Sequence, residues 1–272
     1  MLSFSFIQKY YVMRKSLFSA LMVLNLMVLQ AQHSELFRAE VFVSVEGSLP
    51  YRIMLPENFD PSGQYPLVFF LHGAGERGND NEKQLVHGAS FFASAENRKE
   101  FPAIVVFPQC AENDFWARIN FDLDKDGNRS LTFDPSSEPG PSLSLAIKLL
   151  ESLLENHWVE KNQVYIGGLS MGGMGTFELL YRMPEVFAAA FPICGGGNPE
   201  VINPRVSQVN VWAFHGDADP VVPVSLSQDM VEAYQNAGVD VKLTLYPGVG
   251  HNAWDYVFQE PELLPWLFSN KK

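Results

Sequence analysis

The chain has 272 residues, 47% of them hydrophobic and 18% charged, with 19 Lys plus Arg against 31 Asp plus Glu and a net charge of −12. A chain of this length and composition builds its own core without a disulfide or metal staple. The acidic balance excludes a broad basic face of the kind that grips nucleic-acid phosphates, and it argues against adhesion to an anionic membrane surface.

Residues 1–15 carry Lys9, Arg14 and Lys15 and no acid, and Ser16 to Leu29 is then an apolar run of 14 residues. A bilayer span needs about 20 apolar residues. The positive start, short apolar middle and small-residue exit predict a secretory signal peptide over residues 1–31, cut after Ala31. No cysteine stands near that junction to take a lipid, and Met13-Arg14-Lys15 is itself a fitting start for such a segment. The remainder is expected outside the cytoplasm, in a periplasm or beyond it, with no membrane contact after cleavage.

From Ala39 to Leu55 the chain alternates apolar and polar residues, as an opening antiparallel pair of strands does. Pro66–Leu71, Ala103–Phe107, Val164–Gly167, Ala188–Ile193, Val209–Phe214 and Val241–Tyr246 are short, nearly continuous apolar runs. Runs of that kind suit strands covered on both faces, as in a parallel sheet. Helices are expected around Glu82–Ser94, over Ser144–Trp158, after Ser170 and over Ser225–Ala237, where apolar side chains recur on one face. Strand–helix alternation predicts an α/β fold, a three-layer α/β/α sandwich on a mostly parallel sheet. No repeat or linker is visible, so residues 37–272 read as one domain.

The chemistry gathers at strand ends. Gly168-Leu169-Ser170-Met171-Gly172 is a G-x-S-x-G pentapeptide between an expected strand and an expected helix. In that setting a sharp turn lifts the serine hydroxyl above the sheet edge, with helix N–H groups beside it. A serine hydroxyl needs a base, and the base needs a carboxylate to orient it. Asp217 and Asp219 follow the run ending at Phe214, and His251 follows the run ending at Tyr246. The remaining histidines have other addresses: His33 at the signal junction, His87 and His157 beside helices, and His72 and His215 before glycines, where they are expected to fix loops.

Two other motifs compete. Gly73-Ala74-Gly75-Glu76-Arg77-Gly78 is a formal G-x-G-x-x-G, but Ala103–Phe107 is followed by Pro108-Gln109-Cys110 and no acid before Glu112, so the dinucleotide fingerprint fails. Asp122 to Asn128 opens like a calcium loop, yet Phe133 stands where an EF-hand needs its bidentate Glu. The Asp126-Gly127 turn flanked by alternating Phe121, Leu123, Leu131 and Phe133 reads instead as a β-hairpin. No cofactor and no metal are expected.

The order Ser170, Asp219, His251, with the segments HGDADPVVP and VGHNAW, resembles the α/β-hydrolase superfamily over essentially all of the chain after the signal. The opening LHGAGERG and the PICGGG segment are similar to secreted phospholipase/carboxylesterase-type and feruloyl- or acetyl-xylan-esterase-type enzymes. The resemblance implies an about eight-stranded sheet without a large cap domain, and a serine carboxylesterase acting on small esters or on acyl groups of plant polysaccharides. It selects Asp219 over Asp217 as the acid. It implies an oxyanion hole made by the N–H groups of Met171 and Ala74, with Gly75 as the other possibility for the second donor. Glu76 and Arg77 are expected to pair and hold that loop, and Trp116 and Trp254 to line a substrate pocket. In the hydrolase strand order Cys110 and Cys194 follow strands about 14 Å apart, beyond the roughly 7 Å a disulfide spans, so both are expected as free, buried thiols. A peptidase of the prolyl-oligopeptidase kind, or a non-catalytic binder on the same scaffold, are the competing readings.

Overall fold

The computed structural model describes residues 34–123, 129–239 and 241–272. The expected signal peptide and the tip of the Asp122–Asn128 turn, with its calcium question, lie outside the described residues.

In chain order the chain forms β1 (Arg38–Ser44), β2 (Gly47–Met54), β3 (Tyr65–Leu71), α1 (Ala89–Ala93), α2 (Ala95–Glu100) and β4 (Ile104–Pro108). Next come β5 (Ile119–Leu123), β6 (Arg129–Phe133), α3 (Pro141–Leu154), β7 (Val159–Leu169) and α4 (Met171–Arg182). The last third holds β8 (Ala189–Ile193), β9 (Asn210–Gly216), α5 (Ser225–Asn236), β10 (Lys242–Tyr246), α6 (Trp254–Val257) and α7 (Leu263–Ser269). Eight strands form one sheet in the order β1-β2-β4-β3-β7-β8-β9-β10. β2 runs antiparallel to both β1 and β4, and the pairs from β4 to β10 are parallel.

The apolar runs make this sheet because each central strand is covered on both faces. Leu67, Phe69 and Leu71 of β3 pack with Leu149 and Leu150 of α3, Phe177 of α4 and Met230 of α5. The alternate residues Val68 and Phe70 pack the other way, with Phe92 of α1, Val257 of α6 and Leu267 of α7. Period-two side chains thus divide one strand between two cores, and three layers result.

β5 and β6 form the expected hairpin, with Phe121 opposite Leu131 and Ile119 opposite Phe133. The helix expected around Glu82–Ser94 is instead a 3-10 turn at Lys83–Leu85 followed by the short α1. Gly88 lies between them at φ 84°, a left-handed conformation that breaks helical propagation. α3 starts three residues earlier than Ser144, where Pro141 supplies a ready first-turn φ, and it stops before Trp158. Cys110 and Cys194 are free and buried.

Candidate active site

Ser170 sits between β7 and α4 at φ 54°, ψ −118°. A non-glycine residue rarely adopts such a backbone, and the strain is held by its surroundings. The Ser170 N–H donates to Ile193 O on β8 at 2.8 Å, and Ser170 O accepts from Met174 N at 3.0 Å. The turn is tight enough that a Cβ on Gly172 would lie 1.9 Å from Leu71 O of β3. Only glycine permits that approach, which is the physical content of the pentapeptide's last position.

His251 follows β10. Its Nε2 is 2.8 Å from Ser170 Oγ, and its Nδ1 is 2.7 Å from Asp219 Oδ2. The imidazole is 19% exposed, while the Asp219 side chain is sealed from solvent. Asp219 Oδ1 accepts from Val221 N at 2.8 Å and Val222 N at 3.0 Å. Burial alone would raise the Asp219 carboxyl, but hydrogen bonds from His215 and His251, then from Val222 and Val221, outweigh it and hold the group well below the usual carboxylate range. Asp217 is exposed and spends its carboxylate on Gly248 N, at 2.6 Å. The acid loop and the histidine loop are tied together by Ala218 N donating to Val249 O at 3.0 Å. The three candidates drawn from distant parts of the sequence therefore meet in one hydrogen-bonded line above the sheet edge.

Met171 opens α4 directly after Ser170, and Ala74 opens a 3-10 turn, Ala74–Glu76, directly after His72-Gly73. Leu71 and Gly168 are register partners, so the two turns stand side by side at the ends of β3 and β7. Among the described residues neither the Met171 nor the Ala74 N–H finds a protein acceptor. Gly75 lies in the same 3-10 turn as Ala74. The expected Glu76–Arg77 pair does not form. Arg77 Nε donates to Ala74 O at 2.9 Å and its guanidinium lies 4.7 Å from the Phe115 ring, whereas Glu76 turns to His87, 3.9 Å away.

The two tryptophans part company. Trp254 opens α6 with its ring 5.3 Å from that of His251, edge on, and 5.2 Å from that of His87. Trp116 is 0% exposed in the main core, edge-on to His72 and packed so closely on α4 that a Cβ on Gly175 would lie 2.4 Å from Trp116 Cβ. Its large apolar ring fills the core against α4 instead of lining an open pocket.

Sequence reasoning gave His215 a loop-fixing role and missed its contact with the acid. His215 Nε2 stands 3.2 Å from Asp219 Oδ2 and both side chains are fully buried. The signal was present as an i,i+4 spacing. Cys194, at φ 47°, completes a group with His215 and Asp219 whose ligand-type atoms lie within 4.8 Å of one another. Both nitrogens of His215 are already hydrogen-bonded and burial pushes the Cys194 thiol up to about 12, so the group fits a hydrogen-bonded buttress better than a metal cage.

A model of the phospholipase/carboxylesterase family matches residues 131–261. Acyl-protein thioesterase 1 of Debaryomyces hansenii is 26% identical over 195 residues, which cover 68% of this chain and 84% of that protein. The protein named Probable feruloyl esterase C from Aspergillus terreus is 26% identical over 69% of this chain and 62% of its own length. The crystal structure of a thermostable esterase superposes with a TM-score of 0.78 at 35% identity, covering 89% of this chain and 64% of that one. This chain thus spans a little under two thirds of the last two. The chain has the α/β-hydrolase fold, and the proteins it resembles here are named as esterases and a thioesterase.

Proposed function

We propose that residues 37–272 form the catalytic domain of a secreted carboxylesterase that works through an acyl-enzyme on Ser170. The observation that carries this reading is the unbroken line of contacts, Ser170 Oγ to His251 Nε2 at 2.8 Å and His251 Nδ1 to Asp219 Oδ2 at 2.7 Å. Ser170 Oγ bonds to the ester carbonyl carbon while its proton passes to His251 Nε2. The Met171 and Ala74 N–H groups receive the oxyanion. The intermediate then collapses: the bond to the alcohol oxygen breaks and His251 returns the proton to the leaving alkoxide. Water gives a proton to His251 as it attacks the acyl carbon, and Ser170 leaves with that proton. Asp219, held ionised by its four donors, keeps Nδ1–H in place and stabilises the imidazolium at each stage.

Acyl groups on plant polysaccharide are the proposed substrate class. Similarity to a protein named as a feruloyl esterase supports it, as does the Trp254 ring beside His251, an apolar surface suited to an aromatic acyl group or a sugar. Export rests on the cationic start and 14-residue apolar run before Gln30.

The test uses purified protein with p-nitrophenyl acetate, methyl ferulate and chromogenic dipeptides. Turnover of the esters that disappears in Ser170→Ala, with the peptides untouched, is the expected result. Peptide cleavage would favour the peptidase reading, and no turnover of any of them by folded wild-type protein would favour a binding protein.

A further inference from the structure

A second histidine stands behind the acid. His215 is the penultimate residue of β9 and is fully buried. Its Nε2 lies 3.0 Å from Val222 O and 3.2 Å from Asp219 Oδ2. A carbonyl oxygen only accepts, so Nε2 carries the proton and shares it between these two oxygens. On the other side of the ring, Nδ1 is 2.8 Å from Ser227 Oγ of α5, and Ser227 Oγ donates to Gly195 O at 2.9 Å. The ring is thus pinned at both ends by groups that belong to the scaffold. Asp219 Oδ2 in turn sits between two imidazoles, His251 on the solvent side at 2.7 Å and His215 on the buried side.

We propose that His215 is a positioning residue for the acid, holding Asp219 Oδ2 in line with His251 Nδ1 from the buried side of the site. The inference rests on the assignment of Ser170, His251 and Asp219 made under the proposed function. Without the Nε2 donor, Oδ2 loses its buried-side hydrogen bond, and the orientation of the base loosens. The carboxylate also keeps more of its charge for His251, which then holds its proton to higher pH. Among the described residues, the titratable side chains facing the His215–Asp219 pair are His251 from the loop after β10 and Cys194 from the end of β8. Burial pushes the Cys194 thiol up to about 12.

Three variants test this on p-nitrophenyl acetate, with rates expressed per active site titrated to completion by a fluorophosphonate. His215→Phe keeps the bulk and removes both nitrogens. His215→Gln keeps a side-chain NH2 donor group. Ser227→Ala leaves the imidazole but removes the partner of its Nδ1. In His215→Phe we expect kcat to fall about tenfold or more with KM within about twofold, because only orientation during proton transfer is affected. The acidic limb of its kcat/KM profile moves to higher pH. His215→Gln recovers most of the kcat, and Ser227→Ala shifts the limb the same way by less. A folded His215→Phe protein with wild-type kcat and an unmoved limb overturns the proposal, as does a Gln variant no better than Phe. Failure of all three variants to give soluble protein assigns His215 to folding alone and overturns it equally. Ser170→Ala runs beside them: if that variant still hydrolyses the ester, the assignment of the nucleophile fails instead.

Discussion

Two strand-end loops of this protein begin with the same dipeptide and do different things. At the end of β3 the chain reads Leu71-His72-Gly73, and at the end of β9 it reads Phe214-His215-Gly216. Both histidines are buried. Among the described residues the ring nitrogens of His72 meet backbone alone: Nδ1–H donates to Gly73 O at 2.6 Å and Nε2 accepts from Cys110 N at 2.9 Å. That pairing fits the neutral ring, and burial pushes its pKa down to about 4 although the Gly73 carbonyl pulls the other way. His215 meets the carboxylate of Asp219. The first loop is locked as scaffold beside the Ala74 donor, and the second is wired into the relay. The lesson is that the dipeptide encodes a turn with a buried ring, while the element across from it decides whether that ring touches chemistry.

The largest expected effect lies in the β9 loop. Asp219→Asn leaves His251 with the wrong hydrogen-bond partner and lowers kcat by about 10⁴, as loss of the acid does in a Ser-His-Asp arrangement. Asp217→Asn, two residues away with its carboxylate on Gly248 N, stays within a few-fold of wild type. Steady-state kinetics on one ester separates the two, and the reverse ranking would move the acid to Asp217.

The two glycines sharpen the comparison next. A Cβ on Gly216 would lie 2.3 Å from Val249 O and 2.4 Å from Gly250 O, both backbone atoms of the loop that carries His251. A Cβ on Gly73 would meet the side-chain ends Leu169 Cδ1 at 2.8 Å and Glu76 Oε2 at 2.9 Å, which can swing away. Gly216→Ala is therefore expected to displace His251, with a loss of about tenfold or more in kcat/KM and a stability cost of about 1–3 kcal/mol. Gly73→Ala costs less on both measures. Equal losses, read by kinetics and urea midpoints, would break the distinction between the loops.

The remaining effect is on stability against pH. Because the folded His72 pKa lies below the ordinary 6.5, the unfolded chain takes up a proton that the folded protein refuses. The sign follows: stability from this group is intact above about pH 6.5 and is lost as pH falls toward about 4, by up to about 3 kcal/mol. Urea unfolding at pH 7 and pH 4.5 measures it, and a His72→Gln variant should show a flatter dependence. An equally steep loss in that variant would assign the acid sensitivity elsewhere.

Much of this molecule was legible before its coordinates. The central strands announced themselves because parallel strands buried on two faces need continuous apolar runs, as in Pro66–Leu71 and Ala188–Ile193. The nucleophile turn was legible because the close approach of Gly172 to Leu71 O admits one residue type. What sequence spacing did not carry were contacts made by side chains across elements. Arg77 chose Phe115 and the Ala74 carbonyl over its neighbour Glu76. Trp116 went into the core against α4. Each depends on where a second element lies in space, and no local pattern records that. The short α1 was hidden for a backbone reason, the left-handed Gly88 inside an otherwise helical stretch.

The central claim is that the Ser170 hydroxyl is activated by His251 and Asp219. Its most direct test is to treat the folded protein with a fluorophosphonate and map the adduct by peptide mass spectrometry. The account predicts one phosphonyl group per chain, on Ser170, formed rapidly in wild type and far more slowly in Asp219→Asn. An adduct on another residue, or none at all, would contradict it.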